Sequence, residues 1–239
     1  MTVLGAADVR RNLADLGTVR VIELSHVLFP GQEEFRLEVT NRYVEELQPF
    51  YVGKRAPDAW YIMSEVALWS HVGTHMESPF HYLKDGTDIA GVELDRVVGM
   101  CQLVDFRDKG VAQPISREEL RGRGSGIEVG DIVFIRTDSG HYRTEQSHDH
   151  PYLERAAIDW LVEDRRIRLL GVDCSGIERR TEPAQPNHET LFKNGIPLIE
   201  HLAYLDRLTR NRFFVVAVPW RVKGLEATPV SVVAFEKAD

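Results

Sequence analysis

The sequence predicts an α/β domain built on a mixed β-sheet, and three observations carry that prediction. Short runs rich in β-branched residues recur along the chain, each bounded by turn residues. An amphipathic helical stretch lies between two of these runs. The 239 residues are 43% hydrophobic and 28% charged, which is enough apolar material for one sizeable core. One domain spanning residues 1–239 is therefore expected, with strands outnumbering helices.

In chain order, residues 6–16 place Val9, Leu13 and Leu16 at helical spacing and predict a short amphipathic helix. Strands are expected at 19–24, 60–69 and 101–106. Residues 122–126 read Gly-Arg-Gly-Ser-Gly. No Gly-Lys-Ser/Thr follows, so this is a surface loop and not a phosphate cradle. A strand at 131–136 comes next, then a polar stretch with His141, His148 and His150. That stretch is expected as a loop able to close over a site, since loops run over the surface. Pro151 suits a first helical turn, and Leu153, Ala156, Ala157, Trp160 and Leu161 form the apolar stripe of the helix it would open. The basic pair Arg165-Arg166 leads into a strand at 168–172. A second short helix is expected at 199–208, followed by strands at 213–218 and 230–235.

The charge balance excludes some function classes. The formal net charge is −8 and no Lys/Arg stripe is present, so neither nucleic acid nor an anionic membrane is an expected partner. Met1 to Gly17 is charged and lacks an apolar core, unlike a secretory signal, and no apolar run reaches membrane-spanning length. Cys101 and Cys174 lie in apolar, strand-like runs and are expected to be buried thiols. A reducing cytoplasmic location agrees with that.

Chemistry concentrates in residues 71–81, His-Val-Gly-Thr-His-Met-Glu-Ser-Pro-Phe-His. Gly73 and Thr74 are poor helix formers, and Pro79 pushes Ser78 out of the helical region. A strand end running into a tight loop is expected instead. Such a loop can aim His71, His75 and Glu77 at one point. Two imidazoles and a carboxylate suit a divalent metal and leave coordination positions open. A metal there lowers the pKa of bound water and polarises a carbonyl, and His81 is placed to move protons near neutral pH.

This segment resembles the signature of the cyclase family, H-x-G-T-H-x-D-x-P-x-H, whose members include bacterial kynurenine formamidase and isatin hydrolase. His71, Gly73, Thr74, His75, Pro79 and His81 match it, and Glu77 stands where the family has Asp. Further resemblance lies in Leu170–Ser175, a strand ending in Asp173, and in His188 followed by Gly195-Ile196-Pro197 and Glu200. The resemblance implies a swivelling β/β/α fold with a barrel-like mixed sheet. It implies a first metal on His71, His75 and Glu77, a second on Glu77, His188 and Glu200, and His81 as proton carrier. The longer side chain of Glu77 leaves one or two metals per chain open, as Zn2+ or Mn2+. It further implies a homodimer or homotetramer.

Taken together, these readings predict a metal-dependent hydrolase of a non-peptide C–N bond, acting on a small arylformamide or a cyclic amide. Trp60, Trp69, Phe80 and Trp220 lie near the motif or at strand ends. At least two of them are expected in the core; Trp69 and Phe80 are the candidates for substrate contact. Thr228 is a third candidate, because Gly224 to Pro229 resembles a family turn that approaches substrate. His201 is expected to face away from the site. Two other function classes share the same ligands: a mononuclear Fe(II) facial-triad oxygenase and a non-catalytic metal-binding scaffold.

Overall fold

The structure is a computed structural model, described here for residues 18–43, 46–47, 60–139, 142–144 and 148–238. The helix expected at 6–16 and His141 lie outside the described residues.

The strands in chain order are β1 (Val19–Glu23), β2 (Leu37–Tyr43), β3 (Ile62–Leu68), β4 (His75–Glu77), β5 (Val98–Asp105), β6 (Pro114–Ile115), β7 (Ile132–Arg136), β8 (Tyr152–Leu153), β9 (Leu169–Val172), β10 (Leu198–Glu200), β11 (Arg212–Val216), β12 (Ala227–Pro229) and β13 (Val233–Lys237). Nine of them form one sheet in the order β1-β13-β11-β5-β7-β9-β10-β4-β12. The centre, β5-β7-β9-β10, is parallel, and both flanks are antiparallel. This mixed sheet curls into a half-barrel, the fold class the sequence implied. β2 and β3 make a separate two-stranded ribbon, and β6 pairs with β8.

Alternation along β7 explains the two-sided core. Val133 and Ile135 join one apolar cluster with helix residues Leu120, Ala157, Leu161 and Leu191. Ile132 and Phe134 join a second cluster on the other face with Met76, Ile199, Phe213 and Val215. Central parallel strands covered on both faces read as continuous apolar runs, which is why β5, β7 and β9 were evident in sequence. Cys101 and Cys174 are buried free thiols, as expected.

Two helix expectations need correction. Pro151 does not open a helix. Tyr152 donates its N–H to the Gln113 carbonyl at 3.1 Å and Leu153 donates to Ile177 at 3.1 Å, so these residues are spent on lateral pairing. The helix starts later, at Arg155–Asp159, and widens into a π turn over Trp160–Asp164. Residues 199–208 are not helical either. Leu198–Glu200 is the central strand β10, and His201 and Tyr204 take φ of +54° and +55°, which no helix accommodates. Only a single 3-10 turn, Leu205–Arg207, follows. In the other direction, a helix at Arg117–Arg123 is closed at its start by a reciprocal Ser116/Glu119 box. It takes up the first residues of the glycine-rich stretch. No helix among the described residues is long and apolar enough to cross a membrane.

Candidate metal centre

The short strand β4 organises the site. Residues two apart share a strand face, so His75 and Glu77 point the same way while Met76 points into the core. β10 runs antiparallel to β4 with Glu200 opposite His75, which brings Glu200 to the same face. His71 precedes β4 in a turn and His81 follows it in the 3-10 turn Pro79–His81. The expected loop therefore contains a strand of its own. Gly73 sits at φ +71°, a conformation that L side chains rarely adopt, so the backbone there demands glycine. His188 arrives from the helix Pro186–Lys193.

Glu77 is the hub. It is buried, and its Oε1 lies 3.0 Å from His71 Nδ1, 3.6 Å from His75 Nε2 and 3.6 Å from His81 Nε2. Its Oε2 lies 3.6 Å from His188 Nε2 and has no hydrogen-bond partner. Glu200 completes the group, with Oε2 3.6 Å from His75 Nε2 and Oε1 3.8 Å from His188 Nε2. A buried carboxylate oxygen without a partner is costly in a closed protein interior. Facing several imidazole nitrogens, it fits a divalent cation. Among the described residues, two overlapping groups could hold one: His71, Glu77 and His81, and His75, Glu77 and Glu200.

The electrostatics describe the same demand for positive charge. Burial alone would raise Glu77, but His188, His71 and His75 hold it well below the usual carboxylate range. Burial would lower His75 and His188; hydrogen bonding to Glu77 and the charge of Glu200 raise the first, and Glu178, Glu200 and Glu77 raise the second well above the ordinary value. His81 goes the other way: burial lowers its pKa, which leaves it neutral at pH 7.

Two cavities meet at His81. One, of about 390 Å³, is polar and is lined by His148, His150, Ser175, Arg179, His188 and Glu200 among others. The other, of about 620 Å³, is mostly apolar and is lined by Phe35, Leu68, Trp69, His71 and Leu225. His148 lies at the first cavity, bonded to Ser175 Oγ at 2.9 Å and to Glu34 Oε1 at 3.1 Å.

The aromatic residues depart from expectation. None of the four is in the core: Trp60, Trp69, Trp220 and Phe80 are 74, 61, 56 and 38% exposed. Trp69 lines the apolar cavity and stacks on Phe35 at 5.8 Å, whereas Phe80 lines neither cavity described above. Thr228 is buried opposite Met76 on β12, on the sheet face turned away from His75 and Glu77. Asp173 accepts from Thr137 N, Thr137 Oγ1 and Asp138 N at 2.7–3.0 Å and ties the ends of β7 and β9 together. His201 is nearer than expected, its ring 6.0 Å from that of His75, and burial lowers its pKa to about 3.

Sequence reasoning missed two carboxylates. Glu178 Oε1 lies 3.1 Å from His188 Nδ1, and Glu226 Oε1 lies 3.4 Å from His71 Nε2. Glu226 stands just before Thr228 in the stretch already singled out; nothing in the local pattern marks Glu178.

Comparison with known proteins gives a consistent picture. A family model described as "Putative cyclase" matches residues 22–179. A kynurenine formamidase of Erythrobacter litoralis is 28% identical over 195 residues, covering 82% of this chain and 81% of that enzyme. A solved structure described as a potential metal-dependent hydrolase with cyclase activity is 25% identical, with a TM-score of 0.71 over 93% of this chain and 100% of the other. Isatin hydrolase A from Labrenzia aggregata, at 20% identity, superposes with a TM-score of 0.75 over 97% of this chain and 99% of its own.

Proposed function

The chain belongs to the cyclase family, and on that premise we propose that it is a metal-dependent hydrolase of a small non-peptide amide, an arylformamide or a cyclic amide. The observation that carries the reading is Glu77, a buried carboxylate whose Oε1 faces three histidines and whose Oε2 faces a fourth with no other partner. In this reading residues 1–239 act as one catalytic domain.

His71, His75 and Glu77 would hold a first ion, and Glu77, His188 and Glu200 a second, Zn2+ or Mn2+. The bound metal supplies Lewis acidity and a water of lowered pKa. The protein's own groups do the rest. Neutral His81, at the junction of the two cavities, takes the proton released as water adds to the carbonyl carbon. It returns that proton to the nitrogen as the C–N bond breaks. Trp69 and Phe35 offer a flat apolar wall for an aryl group. The buried thiols agree with a cytoplasmic setting, and a homodimer or homotetramer is part of the same proposal.

The test is elemental analysis of protein purified without added metal or chelator, alongside hydrolysis of an arylformamide and of isatin. About two metals per chain with formamide turnover fits a bridging Glu77; about one with cyclic-amide turnover fits a mononuclear site. Protein without metal, or turnover that needs dioxygen as a facial-triad oxygenase would, defeats the proposal.

A further inference from the structure

We infer that Glu178 and Glu226 are positioning residues, each holding one histidine by one ring nitrogen so that the other nitrogen faces Glu77. The inference rests on the metal site of the proposed function and extends it to residues outside the ligand set.

Glu178 is the stronger anchor. It is buried, and its Oε1 accepts from the backbone N–H of Asn187 at 2.7 Å and of His188 at 2.9 Å, with His188 Nδ1 at 3.1 Å. One oxygen thus fixes both the first turn of the helix and the imidazole projecting from it. With Nδ1–H donated to Glu178, the lone pair of His188 lies on Nε2, the atom that faces Glu77 Oε2 and Glu200 Oε1.

Glu226 does the same from the opposite edge with the nitrogens exchanged. Its carbonyl accepts from Ser78 N and Ser78 Oγ, both at 2.8 Å, which locks its backbone to the end of the motif. Its carboxylate accepts from Ser70 Oγ and lies 3.4 Å from His71 Nε2. Of the two His71 nitrogens, Nε2 is the one beside Glu226, and Nδ1 lies 3.0 Å from Glu77 Oε1 and 3.1 Å from His75 Nε2. The two carboxylates hold histidines facing different oxygens of Glu77, so each acts on its own side of the site. A carboxylate bound to the far nitrogen fixes the tautomer and raises the basicity of a ligating histidine.

The experiment uses the full-length metal-free protein and Zn2+ alone as probe. Glu178→Gln and Glu226→Gln should each weaken zinc binding by roughly ten- to a hundred-fold. The decisive readout is coupling: the Glu178→Gln loss should vanish in a His188→Ala background, and the Glu226→Gln loss in a His71→Ala background. Equal losses in both backgrounds overturn the inference. Because Glu178 also caps a helix, its variant could fail to fold. The wild-type zinc complex therefore gives a second reading by ¹⁵N NMR. His188 should carry its proton on Nδ1 and His71 on Nε2, and the opposite tautomers overturn the assignment. Hydrolysis enters neither readout. Coupled zinc binding without any amide turnover would sink the proposed function and leave this inference standing.

Discussion

Replacing His81 with alanine separates proton transfer from metal binding. Its Nε2 is 3.6 Å from Glu77 Oε1, close enough to be a ligand, yet its ring is 27% exposed and borders both cavities. His75 and His188 are nearly sealed, at 2 and 5%. His71 is 22% exposed, so exposure alone does not separate ligand from carrier; His81 is the histidine that lines both cavities, where substrate would meet it, and that favours the carrier. A positioned acid–base group contributes about 10²–10⁴-fold, or roughly 3–5 kcal/mol of barrier at 1.36 kcal/mol per tenfold. His81→Ala should therefore lower kcat on a chromogenic arylformamide by that factor, with metal content unchanged. Steady-state kinetics and elemental analysis on one preparation read both quantities. Unchanged turnover would remove His81 from the chemistry. Loss of about one metal per chain would make it a ligand and refute the division of roles.

Three other outcomes follow from the same structure. Trp69→Ala should raise KM for aryl amides several-fold and leave thermal stability nearly untouched, because the side chain is 61% exposed beside the apolar cavity; a parallel fall in Tm would mean it is structural. Met76→Ala should cost about 2–5 kcal/mol by denaturant unfolding, since a fully buried side chain between β10 and β12 leaves a cavity that rigid strands cannot close. The carboxyl of Glu119, held by Lys109 and the Ser116 N–H, is pulled down to about 2. A depressed carboxylate stabilises fully above its unfolded value and loses that contribution as pH falls from about 4.5 through about 2. The side chain is 35% exposed, so screening leaves about 1 kcal/mol or less. Glu119→Gln should flatten this part of the acid-unfolding profile, and an unchanged profile would refute it.

The elements legible in sequence are those whose physics is local or saturating. β5, β7 and β9 are covered on both faces and so announce themselves as apolar runs. The helix Arg117–Arg123 also carried a local signal, Ser116 three residues before Glu119, which the glycines beside it obscured. The three-residue strands β4, β10 and β12 were not legible. A strand that short has no readable period, and the apolar residues at 199–208 imitate a helical stripe.

The sequence by itself determined the ligand types and their local supply. His71, His75, Glu77 and His81 stand close enough along the chain that their spacing and the Gly73 turn imply a shared focus. The family resemblance had already named His188 and Glu200, and the tertiary structure decided how they meet the motif. The β4–β10 register sets Glu200 beside His75, and the helix from Pro186 delivers His188 to the far oxygen of Glu77. Glu178 and Glu226 reach the outer nitrogens from separate loops. Strand register is fixed by which faces are buried across the whole sheet, a property of the assembled core that no local stretch of sequence contains.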